Sequence, residues 1–284
     1  MRISLSVIFV GSILMTLALP ASAQTVGGGL LRQYELFGET WYDRMGYSVA
    51  SAGDVNCDGV DDIIVGAIGV QVGGVDRGAA FVYSGADGSE LHRFDGINAS
   101  GNFGFSVSGA GDVDGDGYDD VIIGAPYVNS MTRTNEGRAY VYSGFDGHKL
   151  HRFDGANSED RLGFAVSGAG DINGDGLADL LVSSLWFDEG HLTNSGAVDI
   201  FSGADGSLLR HFPGGSPEDY FGYSVSAAGD VDADGVPDVI IGAANANISG
   251  KSDAGRAYVY SGASGRKLHR MDGENSFDLY GFSV

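Results

Sequence analysis

The sequence holds one cysteine, Cys57, among 284 residues, so no disulfide can form within the chain. Basic residues are scarce as well: 16 Lys and Arg stand against 38 Asp and Glu, a formal charge of −22. That balance excludes nucleic-acid binding through a basic face. Beyond residue 19 no apolar run is long enough to cross a bilayer. The 43% hydrophobic and 11% aromatic content excludes a disordered acidic tail, and the lack of a G-X-Y period excludes collagen. What is abundant is glycine, 48 residues spread along the whole length. Helix interiors disfavour glycine, so the composition predicts many short strands joined by tight turns, an all-β chain.

The first residues carry an address. Arg2 precedes an apolar run over residues 3–19, which ends in Pro20, Ala21, Ser22 and Ala23. A charged start, a short apolar core and a small-residue A-x-A site make residues 1–23 a secretory signal peptide, with Gln24 opening the mature chain. An exported chain with a lone cysteine needs another way to hold its loops. Residues 24–44 form a leader whose segment at 30–38, LLRQYELFG, resembles an outer strand of the units that follow.

One unit recurs four times, over about 45–102, 103–161, 162–220 and 221–279, and a fifth begins at Tyr280. The anchoring glycines Gly46, Gly104, Gly163, Gly222 and Gly281 are separated by steps of 58, 59, 59 and 59 residues. A constant step means stacked supersecondary elements. Each unit reads as four strands: an alternating one such as GFSVSGAG, a buried apolar run such as DVIIGA, an alternating one such as GRAYVYSG, and one such as ELHRF, KLHRF, LLRHF or KLHRM after an Asp-Gly pair, or after Ser264-Gly265 in the fourth unit. The Asp-Gly pairs predict two-residue hairpins in which both central residues take positive φ. Four strands per unit of this length match a propeller blade.

Between the first two strands of each unit lies a nine-residue loop with oxygen side chains at positions 1, 3, 5 and 9. These are Asp54, Asn56, Asp58 and Asp62; Asp112, Asp114, Asp116 and Asp120; Asp171, Asn173, Asp175 and Asp179; Asp230, Asp232, Asp234 and Asp238. Position 6 is always glycine, and the carbonyl of position 7 (Val60, Tyr118, Leu177, Val236) offers a further oxygen. Ca²⁺ takes roughly 6–8 oxygens at ~2.3–2.6 Å, so the pattern predicts up to four calcium ions, one per repeat. The second and fourth loops carry four Asp each and are expected to bind best. The twelfth position of each loop is apolar and falls in a strand, which excludes an EF-hand.

Phe103-Gly104 and Phe221-Gly222, the loop, and then Gly66-Ala67, Gly124-Ala125-Pro126 or Gly242-Ala243 resemble the FG-GAP repeat of the integrin α-subunit propeller and its bacterial secreted relatives. The resemblance implies a β-propeller of four-stranded blades, calcium on the loops between strands one and two, and propeller faces that bind extracellular protein or glycan partners. Met45 and Leu162 depart from the Phe, and Ser183-Ser184 departs from the Gly-Ala. There is no integrin-like inserted domain and no RGD. A seven-bladed ring at this step needs about 413 residues, so the chain is expected to form an incomplete propeller or a fragment of such a ring.

Other motifs are decoys. His-Arg-Asp sets at His92, His151 and His269 recur once per unit, with the order swapped to Arg210-His211 in the third, whereas an enzyme needs one site. Leu and Phe of that strand are expected to face the neighbouring layer, and the His-Arg pair to include a solvent-facing side chain. Ser106 lacks the closing glycine of a nucleophile elbow, and Ala165 replaces it in the third unit. The loop at 185–195 differs most from its counterparts and reads as a contact loop, while Asn98 and Asn247 lie in N-x-S sequons. Together these features predict a secreted, non-catalytic adhesion module. The alternative is the propeller portion of a larger exported hydrolase or polysaccharide lyase.

Overall fold

The computed structural model describes residues 13–16, 33–36, 38, 40 and 42–284. Apart from a short antiparallel pair, β1 (Ile13–Thr16) with β2 (Gln33–Leu36), and residues 38, 40 and 42–44, the segments read as signal peptide and leader fall outside the described residues.

The remaining strands form four four-stranded antiparallel meanders, and each is a blade. Blade 1 comprises β3 (Met45–Gly53), β4 (Asp62–Ala67), β7 (Ala79–Tyr83) and β8 (Glu90–Asp95), with a small hairpin of β5 (Gln71–Val72) and β6 (Val75–Asp76) between its second and third strands. Blade 2 is β9 (Ser106–Gly111), β10 (Asp120–Ala125), β11 (Arg138–Tyr142) and β12 (Lys149–Asp154). Blade 3 is β13 (Leu162–Gly170), β14 (Asp179–Ser184), β15 (Ala197–Phe201) and β16 (Leu208–Pro213). Blade 4 is β17 (Phe221–Gly229), β18 (Asp238–Ala243), β19 (Arg256–Tyr260) and β20 (Lys267–Asp272). No helix occurs among the described residues.

The core lies between blades. One buried cluster joins Ile64, Val82 and Phe94 of blade 1 to Val107, Val121, Ile123 and Tyr140 of blade 2. Equivalent clusters join blades 2 and 3 and blades 3 and 4. A blade sheet is two-faced, and its second strand is buried along its whole length in blades 1 to 3, so each blade needs a neighbour on either side. Blades 1 and 4 share no sheet or core cluster among the described residues, so the four form an open arc of a β-propeller.

Three contacts repeat at each step. The first strands pack closely because they are small: a Cβ on Gly109 would lie 2.9 Å from the Ala52 backbone, and one on Gly168 would lie 3.0 Å from the Ala110 carbonyl. The outer strand reaches the next blade through its aromatic, with ring centroids 4.4 Å apart for Phe94 and Tyr142 and 4.2 Å for Phe153 and Phe201. A bulge between Val82 and Tyr83 skips Leu91 in the pairing, and Leu91 packs with Phe94 on the same cluster. The histidine of that strand faces the next blade too. His92 Nε2 lies 2.6 Å from the Gly144 carbonyl, and His151 Nε2 lies 2.6 Å from that of Gly203. In the third unit Arg210 Nε donates to the Gly262 carbonyl at 2.5 Å, so the swapped order keeps a donor at the same place. Arg93 and Arg152 are the solvent-facing members and pair with Asp95 and Asp154 on their own strands.

The expected two-residue hairpins are not formed. Asp87-Gly88 sits within a six-residue loop, 84–89, closed by Ser84 N–H to the Ser89 carbonyl at 2.8 Å. Only Gly88 takes positive φ, 81°, while Asp87 accepts the Ser89 N–H at 2.9 Å. The Ser-Gly preceding Asp-Gly explains the difference: Gly85 N–H is drawn to Asp62 Oδ1 at 3.0 Å, which ends the third strand early.

Candidate metal centre

The meander places all four acidic loops at one end of the blades, beside the Asp-Gly loops, because both follow strands running in that direction. Each loop is folded by its own carboxylates. The first-position Asp accepts the N–H of the sixth-position glycine: Asp54 from Gly59 at 2.8 Å, Asp112 from Gly117 at 3.0 Å, Asp171 from Gly176 at 2.9 Å, and Asp230 from Gly235 at 2.9 Å. The fifth-position Asp accepts the N–H of position 7: Asp58 from Val60, Asp116 from Tyr118, Asp175 from Leu177, and Asp234 from Val236. These turns gather side-chain oxygens on the inside of a short loop. Position 6 has positive φ in all four loops, from 85° at Gly59 to 91° at Gly176, which is why glycine recurs there.

The ninth-position Asp has a further duty. Asp120 accepts the Val113 N–H at 2.7 Å and the Gly144 N–H at 2.9 Å, tying the loop to the end of the third strand. Asp62, Asp179 and Asp238 do the same with Val55 and Gly85, Ile172 and Gly203, and Val231 and Gly262. All four are buried. Burial pushes the carboxyls of Asp62 and Asp179 up, and that of Asp120 up to about 7. Desolvation is the main cause in all three, opposed by the backbone N–H groups that each carboxylate accepts.

Among the described residues, two trios of carboxylates converge with their oxygens within 4.8 Å of one another: Asp112, Asp114 and Asp116 in loop 2, and Asp230, Asp232 and Asp238 in loop 4. Asp120 and Asp234 lie outside these trios. Desolvation, and then the facing Asp234, Asp238 and Asp230, raise the pKa of Asp232. Loops 1 and 3, where Asn56 and Asn173 stand, gather no such trio among the described residues. The donor set is all oxygen and all hard, and it fits calcium rather than a metal that prefers nitrogen or sulfur. The loops also join the blades: Asp119 N–H donates to the Asp54 carbonyl at 3.2 Å, and Ala178 N–H to that of Asp112 at 2.9 Å.

The opposite end is built differently. The residue after each anchoring glycine is aromatic, and these rings form a run from blade to blade. Centroids are 5.0 Å apart for Tyr47 and Phe105, 5.0 Å for Phe105 and Phe164, 5.5 Å for Phe164 and Tyr223, and 4.8 Å for Tyr223 and Phe282. The sequence reading missed this arc, although the unbroken Tyr/Phe at that position was its signal. The loop at 185–195 lies at this end. Trp186 stacks on the Arg161 guanidinium at 3.3 Å, which is also over the Tyr127 ring at 4.8 Å. The serine of the supposed elbow is occupied in packing: Ser106 Oγ accepts the Val166 N–H of the next blade at 3.0 Å. Both sequon asparagines are engaged: Asn98 Oδ1 accepts from Arg138 of blade 2 at 3.2 Å, and Asn247 Oδ1 closes its loop by accepting the Asp253 N–H at 3.0 Å.

Comparison with known proteins agrees with this repeat. The FG-GAP repeat model matches residues 103–142, 162–201 and 221–260. Integrin alpha-5 of Xenopus laevis is 33% identical over 215 residues, covering 70% of this chain and 20% of the integrin. Integrin alpha-V of Gallus gallus is 30% identical over 212 residues, with the same coverage of 70% and 20%. The chain thus spans about a fifth of the length of these curated relatives. Among solved structures, rhamnogalacturonan lyase YesW aligns over 77% of this chain and 49% of its own, at 16% identity and a TM-score of 0.44. With three matched repeats, and integrin α relatives aligned along most of its length, the chain is an integrin-α-like member of the FG-GAP repeat proteins.

Proposed function

We propose that the chain is a secreted, calcium-binding β-propeller module that acts by binding an extracellular protein or glycan, with no chemistry of its own. The observation that carries this reading is the division of labour between the two ends of the blades. One end repeats the same acidic loop four times, and repetition suits a structural ion. The other end combines loops that differ from unit to unit with a partly exposed aromatic arc, and variable loops on a rigid scaffold are where recognition resides. Calcium held by Asp112, Asp114 and Asp116, and by Asp230, Asp232 and Asp238, would neutralise facing carboxylates and fix the loops that join blades. Loops 1 and 3, with Asp54, Asn56, Asp58 and Asp62, and Asp171, Asn173, Asp175 and Asp179, take ions more weakly because each has one charge fewer. The likeness to integrin α subunits supports an adhesion role. The repeated His and Ser motifs serve blade-to-blade contacts, and Arg93 and Arg152 pair on their own strands, which leaves no single convergent catalytic set among them.

The test is binding of the purified chain to immobilised extracellular-matrix proteins and to a glycan array, in calcium and in chelator. Saturable binding that is lost on Phe164→Ala and Trp186→Ala, in protein that remains folded, supports the reading. Binding to neither surface contradicts it.

A further inference from the structure

Blade 3 links its third and fourth strands by a different kind of charge. Blades 2 and 4 use arginine, Arg138 with Asp154 at 2.6 Å and Arg256 with Asp272 at 2.7 Å. Arginine keeps its charge at every pH at which a protein stays folded. Blade 3 has Ala197 and Pro213 at those positions, and two residues along each strand it has Asp199 and His211 where blade 2 has Tyr140 and Arg152. Asp199 and His211 stand directly opposite each other in the strand register, and His211 Nδ1 lies 2.6 Å from Asp199 Oδ1.

The same imidazole reaches the loop at 185–195. His211 Nε2 lies 3.9 Å from Glu189 Oε2, and the Phe187 ring stands edge-on to the imidazole with centroids 5.6 Å apart. Glu189 begins the loop tip, where the Leu192 N–H donates to its carbonyl at 2.9 Å. In blade 2 the corresponding loop is fastened by Glu136, which is buried and pairs with Arg138 at 3.3 Å and Arg133 at 3.6 Å. Blade 3 has Ser195 in place of Glu136 and Ala197 in place of Arg138, and Ser195 Oγ bonds within the loop, to the Phe187 carbonyl and the Glu189 N–H. The charge that holds this loop to the strands is therefore a histidine, which titrates near neutrality.

Among the described residues, the charged groups that face His211 are Asp199 of β15 and Glu189 of the loop. On its own strand Arg210 turns to the next blade and donates to the Gly262 carbonyl. The hydrogen bond with Asp199 raises the imidazole above the ordinary histidine value, partial burial opposes this, and the Glu189 charge adds to it. The stability that such a histidine contributes is complete below its unfolded pKa and is lost as pH rises through the folded one.

We infer that protonated His211 is a latch that fastens the 185–195 loop to blade 3, and that loss of its proton as pH rises frees the loop. In the neutral imidazole Nδ1–H stays with Asp199, so Nε2 turns a lone pair toward the Glu189 carboxylate and the attraction becomes a repulsion. Asp199 is the positioning residue that fixes this tautomer. The loop begins with Trp186, which stacks on Arg161, so its order bears on recognition at that end of the blades. That bearing rests on the function proposed above, whereas the latch does not.

The test is hydrogen exchange of the full chain in saturating calcium, read as protection of the 185–196 segment relative to the intrinsic rate at each pH, from about pH 6 to about pH 9. Protection in the wild type is expected to fall roughly three- to tenfold across the titration of His211, followed by its imidazole resonances. The 126–137 segment, fastened by Glu136 and Arg138, is the internal reference and should keep its protection. His211→Arg places a permanent charge there, with the residue of blades 1, 2 and 4, and is expected to hold the loop over the whole range. Glu189→Gln changes an exposed tip and is expected to leave the loop loosened throughout, without a pH step, which gives a second reading if His211→Arg unfolds. Equal protection of the wild-type segment at both ends of the range, or the same fall in His211→Arg and Glu189→Gln as in the wild type, overturns the latch.

Discussion

Gly124, near the end of the second strand of blade 2, faces the carbonyl oxygen of Gly163, the anchoring glycine of blade 3, so closely that a side chain at position 124 would collide with it. Gly66 stands in the same relation to Gly104, and Gly242 to Gly281. The two halves of the repeat signature are thus opposite sides of one contact between successive blades.

Gly124→Ala is therefore expected to destabilise the chain by about 1–3 kcal/mol, the usual range for overpacking. Gly215 has open space where a Cβ would stand and no positive φ, so Gly215→Ala should stay within about 0.5 kcal/mol of wild type. Urea denaturation of the two variants makes the comparison.

Blade 3 solves the same contact by exchange. In blades 1 and 4 the first-strand serine donates to the next blade's anchoring glycine, Ser48 Oγ to the Gly104 carbonyl at 2.8 Å and Ser224 Oγ to that of Gly281 at 2.9 Å. Blade 3 has Ala165 there, and the hydroxyl has moved across the strand pair to Ser183, whose Oγ accepts the Ala165 N–H at 2.9 Å. Ser183→Gly alone is expected to cost about 1–2 kcal/mol through the lost partner. Adding Ala165→Ser, which restores the repeat, should recover most of it. A double-mutant cycle measures that coupling.

The outer-strand histidine should matter more than the arginine beside it. His151→Ala removes the link to the Gly203 carbonyl and is expected to cost about 1 kcal/mol. Arg152 pairs on the surface with Asp154, and Arg152→Ala should cost well under that. Thermal unfolding in calcium distinguishes the two.

These contacts show how far the sequence could be read. A step of 58 or 59 residues, with glycine and oxygen donors in phase, was enough for the blades, their order and the acidic loops, because repetition averages out local accidents. What alternation does not encode is which neighbour a side chain meets. His92 looks like a surface residue along its strand and becomes an inter-blade link only when Gly144 of the next blade arrives beside it. The Asp-Gly pair misled for a similar reason, since the buried Asp62 carboxylate, remote in sequence, captures Gly85 and lengthens the loop.

Stability should also depend on pH through Asp160 and Asp219, which are buried at the ends of the linkers leading into blades 3 and 4. Desolvation raises both carboxyls above the ordinary aspartate range. The folded state then holds these protons more tightly than the unfolded one. The stability they contribute is complete below the unfolded pKa and is lost as pH rises through the folded value. Asp160→Asn keeps an acceptor for the Asn157 N–H, now bonded at 2.7 Å, and is expected to reduce that loss. Unfolding midpoints across the acidic range, in saturating calcium, test the sign.

The central claim is that the acidic loops are calcium sites that brace the blades. The most direct measurement is calorimetric titration of calcium into chelator-stripped protein. The account predicts saturable binding of more than one ion and up to four, with one equivalent lost in Asp116→Ala and one in Asp232→Ala. A chain that takes up no calcium, or takes up the same number of ions in both variants as in the wild type, contradicts it.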